Sequence, residues 1–151
     1  MKPVCQSVEK EAIGSAVSMF IFIGCGAWLV VLGLYFMVLR APLLPEDLRY
    51  MGTNLGVIQS AVPGLERWLH RVFTVMGGFI AGAGVLTIFL AARPVMHKRW
   101  TLGALALAGL LTVGTMTVTN FQLNSDFKLL LLFPSLLWLI ALVCGIVYDE
   151  R

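Results

Sequence analysis

Apolar residues run along this chain in four long blocks divided by short charged segments, and the longest, Ile13 to Leu39, passes 27 residues without a charged side chain. A helix advances about 1.5 Å per residue, so a block of roughly 20 residues covers the ~30 Å hydrocarbon core of a bilayer. The pattern predicts membrane-spanning helices over residues 12–39, 72–92, 101–119 and 129–148. Glu9, Lys10 and Glu11 precede the first block, and Arg40 with Pro42 follows it. Arg93-Pro94 closes the second, because proline lacks an amide donor and disfavours helical geometry in the residue before it. Arg99 and Trp100 open the third and Tyr148 ends the fourth, with both aromatics at the depth of interfacial belts. The expected architecture is all-α: a polytopic membrane protein, a four-transmembrane-helix bundle forming one domain over residues 1–151.

The connections are unequal, and the roughly thirty-residue loop between the first and second spans is the longest. Pro42, Pro45, Gly52, Gly56, Pro63 and Gly64 break it into short pieces, with helical turns expected at Pro45 to Met51 and Gly64 to Arg71. In the second piece Leu65, Trp68, Leu69 and Val72 recur at helical spacing while Glu66, Arg67, His70 and Arg71 fill the other positions. Such a segment can lie in the headgroup layer or extend the second span, and extension is the simpler reading.

Hydrophobic residues make up 59% of the chain and charged residues 13%, a balance that excludes an ordinary water-soluble domain. A net charge of +3 would suit nucleic acid only if the bases formed a stripe, and here they are scattered at helix ends. Membrane lipids with anionic headgroups are the expected partners instead, with no nucleic acid. The first block is nearly twice the length of a signal-peptide core and is read as an uncleaved span, and no apolar run precedes Cys5 to suggest a lipoprotein. Four crossings would place Lys2, Lys10, Arg93, Lys98, Arg99 and Arg151 on one side and Arg40, Arg49, Arg67, Arg71 and Lys128 on the other. That is nearly a tie. The three bases in the tight loop at 93–99 favour both termini in the cytoplasm.

Tests for chemistry come out negative. Cys5, Cys25 and Cys144 contain no CxxC pair. His70 and His97 flank opposite ends of the second span, too far apart to share a haem within one chain. No carboxylate lies inside any of the four blocks, although ion-coupled transport normally requires one. No GxSxG elbow is present for a hydrolase. Neither catalytic residues nor a cofactor or metal site is expected, and the protein is read as non-enzymatic.

Small and polar positions remain. In the second block, Gly77, Gly78, Ala81 and Gly82 form small-residue pairs at four-residue spacing, allowing close helix approach within the bundle or a face for a partner. Gly14 with Ser18, and Ala104 with Ala108, repeat the pattern. The third block ends in Thr112, Thr115, Thr117, Thr119 and Asn120, and Asn124 or Ser125 is placed to cap the fourth helix with Asp126 near its positive end. Arg67, Arg71, Asn120, Asn124 and Asp126 are the candidate polar or headgroup-binding residues. Pro134 stands one turn inside the fourth block, tolerated there or causing a kink.

The segments Arg71 to Phe79 and Asn120 to Lys128 resemble those of small bacterial four-helix integral membrane proteins to which no activity is assigned. The resemblance covers roughly the C-terminal half and implies a bacterial inner membrane and four helices, with no catalytic residue to carry over. The leading expectation is an accessory or scaffold subunit that contacts another membrane protein, or itself, through glycine-rich helix faces. An oligomeric transporter or channel for a small or lipophilic solute is the alternative, its polar lining expected at Thr115, Thr119 and Asn120. A lipid-modifying enzyme would need Glu66, His70 and Asp126 on one face.

Overall fold

The computed structural model describes the backbone of residues 2–92 and 99–149 and the side chains of 16–92 and 99–147. The side chains of Cys5 and Tyr148, the Arg93-Pro94 stop, His97 and Arg151 lie outside the described residues. The described elements are all helical: α1 (Lys2–Val38), α2 (Pro45–Met51), α3 (Leu55–Ala61), α4 (Leu65–Ala91), α5 (Arg99–Gly109), a π-helical turn (Leu110–Gly114), α6 (Thr115–Gln122) and α7 (Lys128–Asp149). Four helical stretches are long and apolar enough to cross a membrane: Ala16–Val38, Leu65–Ala91, Arg99–Gln122 and Lys128–Val147.

The second of these begins at Leu65, several residues before the expected start, because the amphipathic piece at its head continues the helix. In the loop α2 occupies the expected residues, but α3 had no counterpart in the sequence reading. Asn54 starts it by accepting a 3.0 Å bond from the Val57 amide, the donor a helix start otherwise leaves open.

Packing is centred on α1 and α7. Antiparallel α4 lies against one side of α1, where glycines alternate in register. A Cβ at Gly33 would stand 2.5 Å from the Gly77 carbonyl oxygen, and one at Gly84 would stand 2.5 Å from the Gly26 carbonyl oxygen. Seven residues separate Gly26 from Gly33 and Gly77 from Gly84, so both helices present a bare patch every second turn. Apolar solvent provides little drive for helix association, and backbone approach at such patches supplies the van der Waals contact instead.

The neighbouring face of α1 carries Ser18, Phe22, Cys25 and Leu29, all buried, and receives α7. Ser18 donates a 2.7 Å bond to the Ala141 carbonyl. Phe22 meets Trp138 edge-on at 5.5 Å between ring centroids, and the Cys25 thiol points at the Pro134 carbonyl. On its far side α7 holds the third span. Trp138 lies directly on Gly109 and donates a 3.0 Å bond from Nε1 to the Leu105 carbonyl. The spatial order is therefore α4, α1, α7, then α5 with α6, and α4 rests chiefly on α1.

Pro134 lies inside α7, and the carbonyls around it are served from α6. Thr117 donates a 3.0 Å bond to the Leu131 carbonyl and shares a 2.7 Å bond with Ser135, whose hydroxyl lies 2.9 Å from the Val113 carbonyl in the π turn. In a water-poor interior these bonds give the Thr117 and Ser135 hydroxyls partners and tie α6 and the π turn to α7 beside the proline.

Candidate functional site

The ends of α1, α4, α6 and α7 that carry the polar candidates meet the loop segment α2 at one end of the helices. α2 starts with Pro45 at its first turn, and Asp47 accepts a 2.8 Å bond from the Leu44 amide. It ends at Gly52, whose φ of 64° puts it in the left-handed region where a Cβ is disfavoured. Arg40, just past α1, pairs with Asp47 at 3.4 Å while its guanidinium carbon stands 3.8 Å from the centre of the Phe73 ring on α4. One cation thus joins α1, α2 and α4.

On its other side α2 reaches the α6–α7 junction. Glu46 accepts 2.9 Å bonds from both the Ser125 hydroxyl and the Asp126 amide, and Arg49 pairs with Asp126 at 3.0 Å. Ser125 is buried and its oxygen also accepts a 3.1 Å bond from the Phe127 amide, which closes a turn just ahead of α7 and does not reach an amide of that helix.

Asn124 does something else. With φ of 49° it closes α6 in left-handed geometry, its own amide returning to the Phe121 carbonyl and that of Ser125 to the Asn120 carbonyl, which satisfies the helix's last acceptors. Its side-chain oxygen then accepts from Lys128. Asn120 turns its amide group back to the Met116 carbonyl at 2.8 Å.

The five polar candidates therefore divide into two groups. Asn120, Asn124 and Asp126 are each engaged within the fold, and no hydrogen bond or ion pair among the described residues joins them to Arg67 or Arg71. Both arginines are exposed on the first two turns of α4. Glu66 accepts a 2.8 Å bond from Gln59 of α3, so among the described residues Glu66, His70 and Asp126 share no bond. Thr115 bonds to the Leu111 carbonyl of its own helix, at 2.7 Å.

Glu46, Asp47, Arg40 and Arg49 had no place among the sequence candidates. Their signal was present as an acidic pair after proline, flanked by arginines, but nothing local to it named the distant Ser125 and Asp126.

The small-residue quartet on α4 also divides. Gly77 is buried against Gly33 and Met37, and Ala81 packs on Gly33. Gly78 and Gly82 lie on the outward face, where a Cβ would meet nothing within 4 Å. Val75, Phe79, Leu86 and Phe89 surround them, all more than half exposed. At the Arg71 end of this face a shallow open groove of about 450 Å³ is lined by Arg71, Val72, Val75, Met76 and Phe79. The chain matches no protein-family model, no curated protein and no solved structure.

Proposed function

We propose that this chain is a non-enzymatic integral membrane protein that acts as an accessory or scaffold subunit, docking a helix of another membrane protein, or of a second copy, on the outward face of α4. The observation that carries the reading is the division of the glycines. Gly26, Gly33, Gly77 and Gly84 already bring α1 and α4 together, so Gly78 and Gly82 are not needed for internal packing. Each costs helix stability of about 1 kcal/mol relative to alanine, a cost that close approach of a partner backbone would offset.

A Val85→Cys variant, exposed beside Gly82 and away from the Arg71 end of the helix, is crosslinked in the native membrane and then purified in mild detergent to test this. A discrete crosslinked product that disappears in Gly78→Leu/Gly82→Leu is expected. A monodisperse, uncrosslinked monomer recovered without companions would overturn it. For the alternative, an oligomeric transporter or channel, subunit interfaces would have to supply the pathway, because Thr115 and Asn120 direct their hydrogen bonds to their own helix.

A further inference from the structure

The groove at the head of α4 lies beside the Gly78 and Gly82 face that the partner reading uses, and it has a chemistry of its own. Its floor is apolar, following Val72, Val75, Met76 and Phe79 down one helix face, and Arg71 stands at its upper end. Arg67 precedes Arg71 by one turn and so shares its side of the helix. Neither arginine has an ion-pair partner among the described residues, whereas Arg40 and Arg49 on the same side of the molecule are paired with Asp47 and Asp126. The nearest acid in sequence, Glu66, is held toward α3 by Gln59.

Two cations without an ion-pair partner among the described residues, above a shallow apolar helix face, match the two parts of an anionic glycerophospholipid. A guanidinium pair presents forked donors suited to phosphate oxygens, and the apolar helix face below offers an acyl chain contact along its length. We propose that this groove holds one such lipid, its phosphate between Arg67 and Arg71 and an acyl chain along Val72, Met76 and Phe79, to one side of the Gly78 and Gly82 row. Net negative charge is the feature selected, since a choline group would place a competing cation beside the arginines.

Native mass spectrometry of the detergent-purified chain, incubated with either phosphatidylglycerol or phosphatidylcholine, tests the assignment. Phosphatidylglycerol is expected to leave a one-to-one adduct that is about tenfold more abundant than the choline adduct. Arg67→Ala/Arg71→Ala should lower it about tenfold while circular dichroism keeps its helical signal, because neither side chain has a hydrogen bond or ion pair among the described residues. Arg49→Ala removes a charge on the same side but away from the groove and should retain the adduct. Equal retention of the two lipids, or an adduct unchanged in the double arginine variant, would overturn the proposal. So would retention of inorganic phosphate as strong as that of the lipid, or occupation of the groove by protein, seen as a Val72→Cys crosslink to a second chain in bilayers.

Discussion

A single methyl group separates two kinds of glycine on α4. At Gly33, on α1 opposite Gly77, an added Cβ would stand 2.5 Å from the Gly77 carbonyl oxygen and the Ala81 nitrogen, both backbone atoms that can move only with their helix. Gly33→Ala therefore pushes α1 and α4 apart and should cost about 1–3 kcal/mol, the range for overpacking a filled interior. At Gly82 the same methyl meets nothing within 4 Å and improves helix propensity, so Gly82→Ala should leave stability unchanged or raise it by up to about 1 kcal/mol. Thermal unfolding of both variants in one detergent measures the difference, and equal shifts would contradict the assigned faces. From sequence alone the two kinds were indistinguishable. Adjacent glycines at four-residue spacing name two neighbouring faces, and the choice between them was made by Gly26 and Gly33, whose seven-residue spacing matters only once α1 is laid antiparallel on α4.

Among the elements, the third span shows why a continuous apolar block can hide an irregular helix. Leu105, Gly109, Val113 and Thr117 are all buried and recur every four residues. On an ideal helix a four-residue step drifts by about 40°, so three steps would carry Thr117 well away from α7. The π turn at Leu110–Gly114 takes up that drift and keeps the row facing α7, with the Thr115 amide returning to the Leu110 carbonyl. Hydropathy records the block but not the turn. The loop element α2 was legible for the opposite reason, since Pro45 at its start and Gly52 at its end are local signals, while the surface it covers lay some eighty residues away. Its two contacts with the α6–α7 junction differ in burial. Arg49 and Asp126 are both exposed, so Arg49→Ala should cost less than about 1 kcal/mol. Glu46 serves the buried Ser125 hydroxyl together with an amide, and Glu46→Ala should cost about 1–3 kcal/mol. Detergent unfolding of the two variants gives the ranking, and a larger loss in Arg49→Ala would show that α2 is held by its exposed pair instead.

For the molecule as a whole, the number of crossings decides which groups share a side. The end of α1, the start of α4, the end of α6 and the start of α7 converge on α2, because Arg40 reaches Asp47 and Phe73 while Glu46 reaches Ser125 and Asp126. That convergence places the loop between α1 and α4 and the junction between α6 and α7 at one end of the helices, a relation that does not depend on which end faces the cytoplasm. The basic residues at the two ends of the helices are almost equal in number, so charge alone distinguishes the two orientations weakly. Relative sidedness is better determined, as each of those hydrogen bonds and ion pairs is incompatible with an intervening membrane. Single cysteines placed at exposed Ser60 and Gln122, in a chain with Cys5, Cys25 and Cys144 replaced, should both react with an impermeant maleimide from the same face of sealed vesicles. A reporter fused after Arg151 should be reached only from the opposite face. Labelling of Ser60→Cys and Gln122→Cys from different faces would separate α2 from the junction it caps.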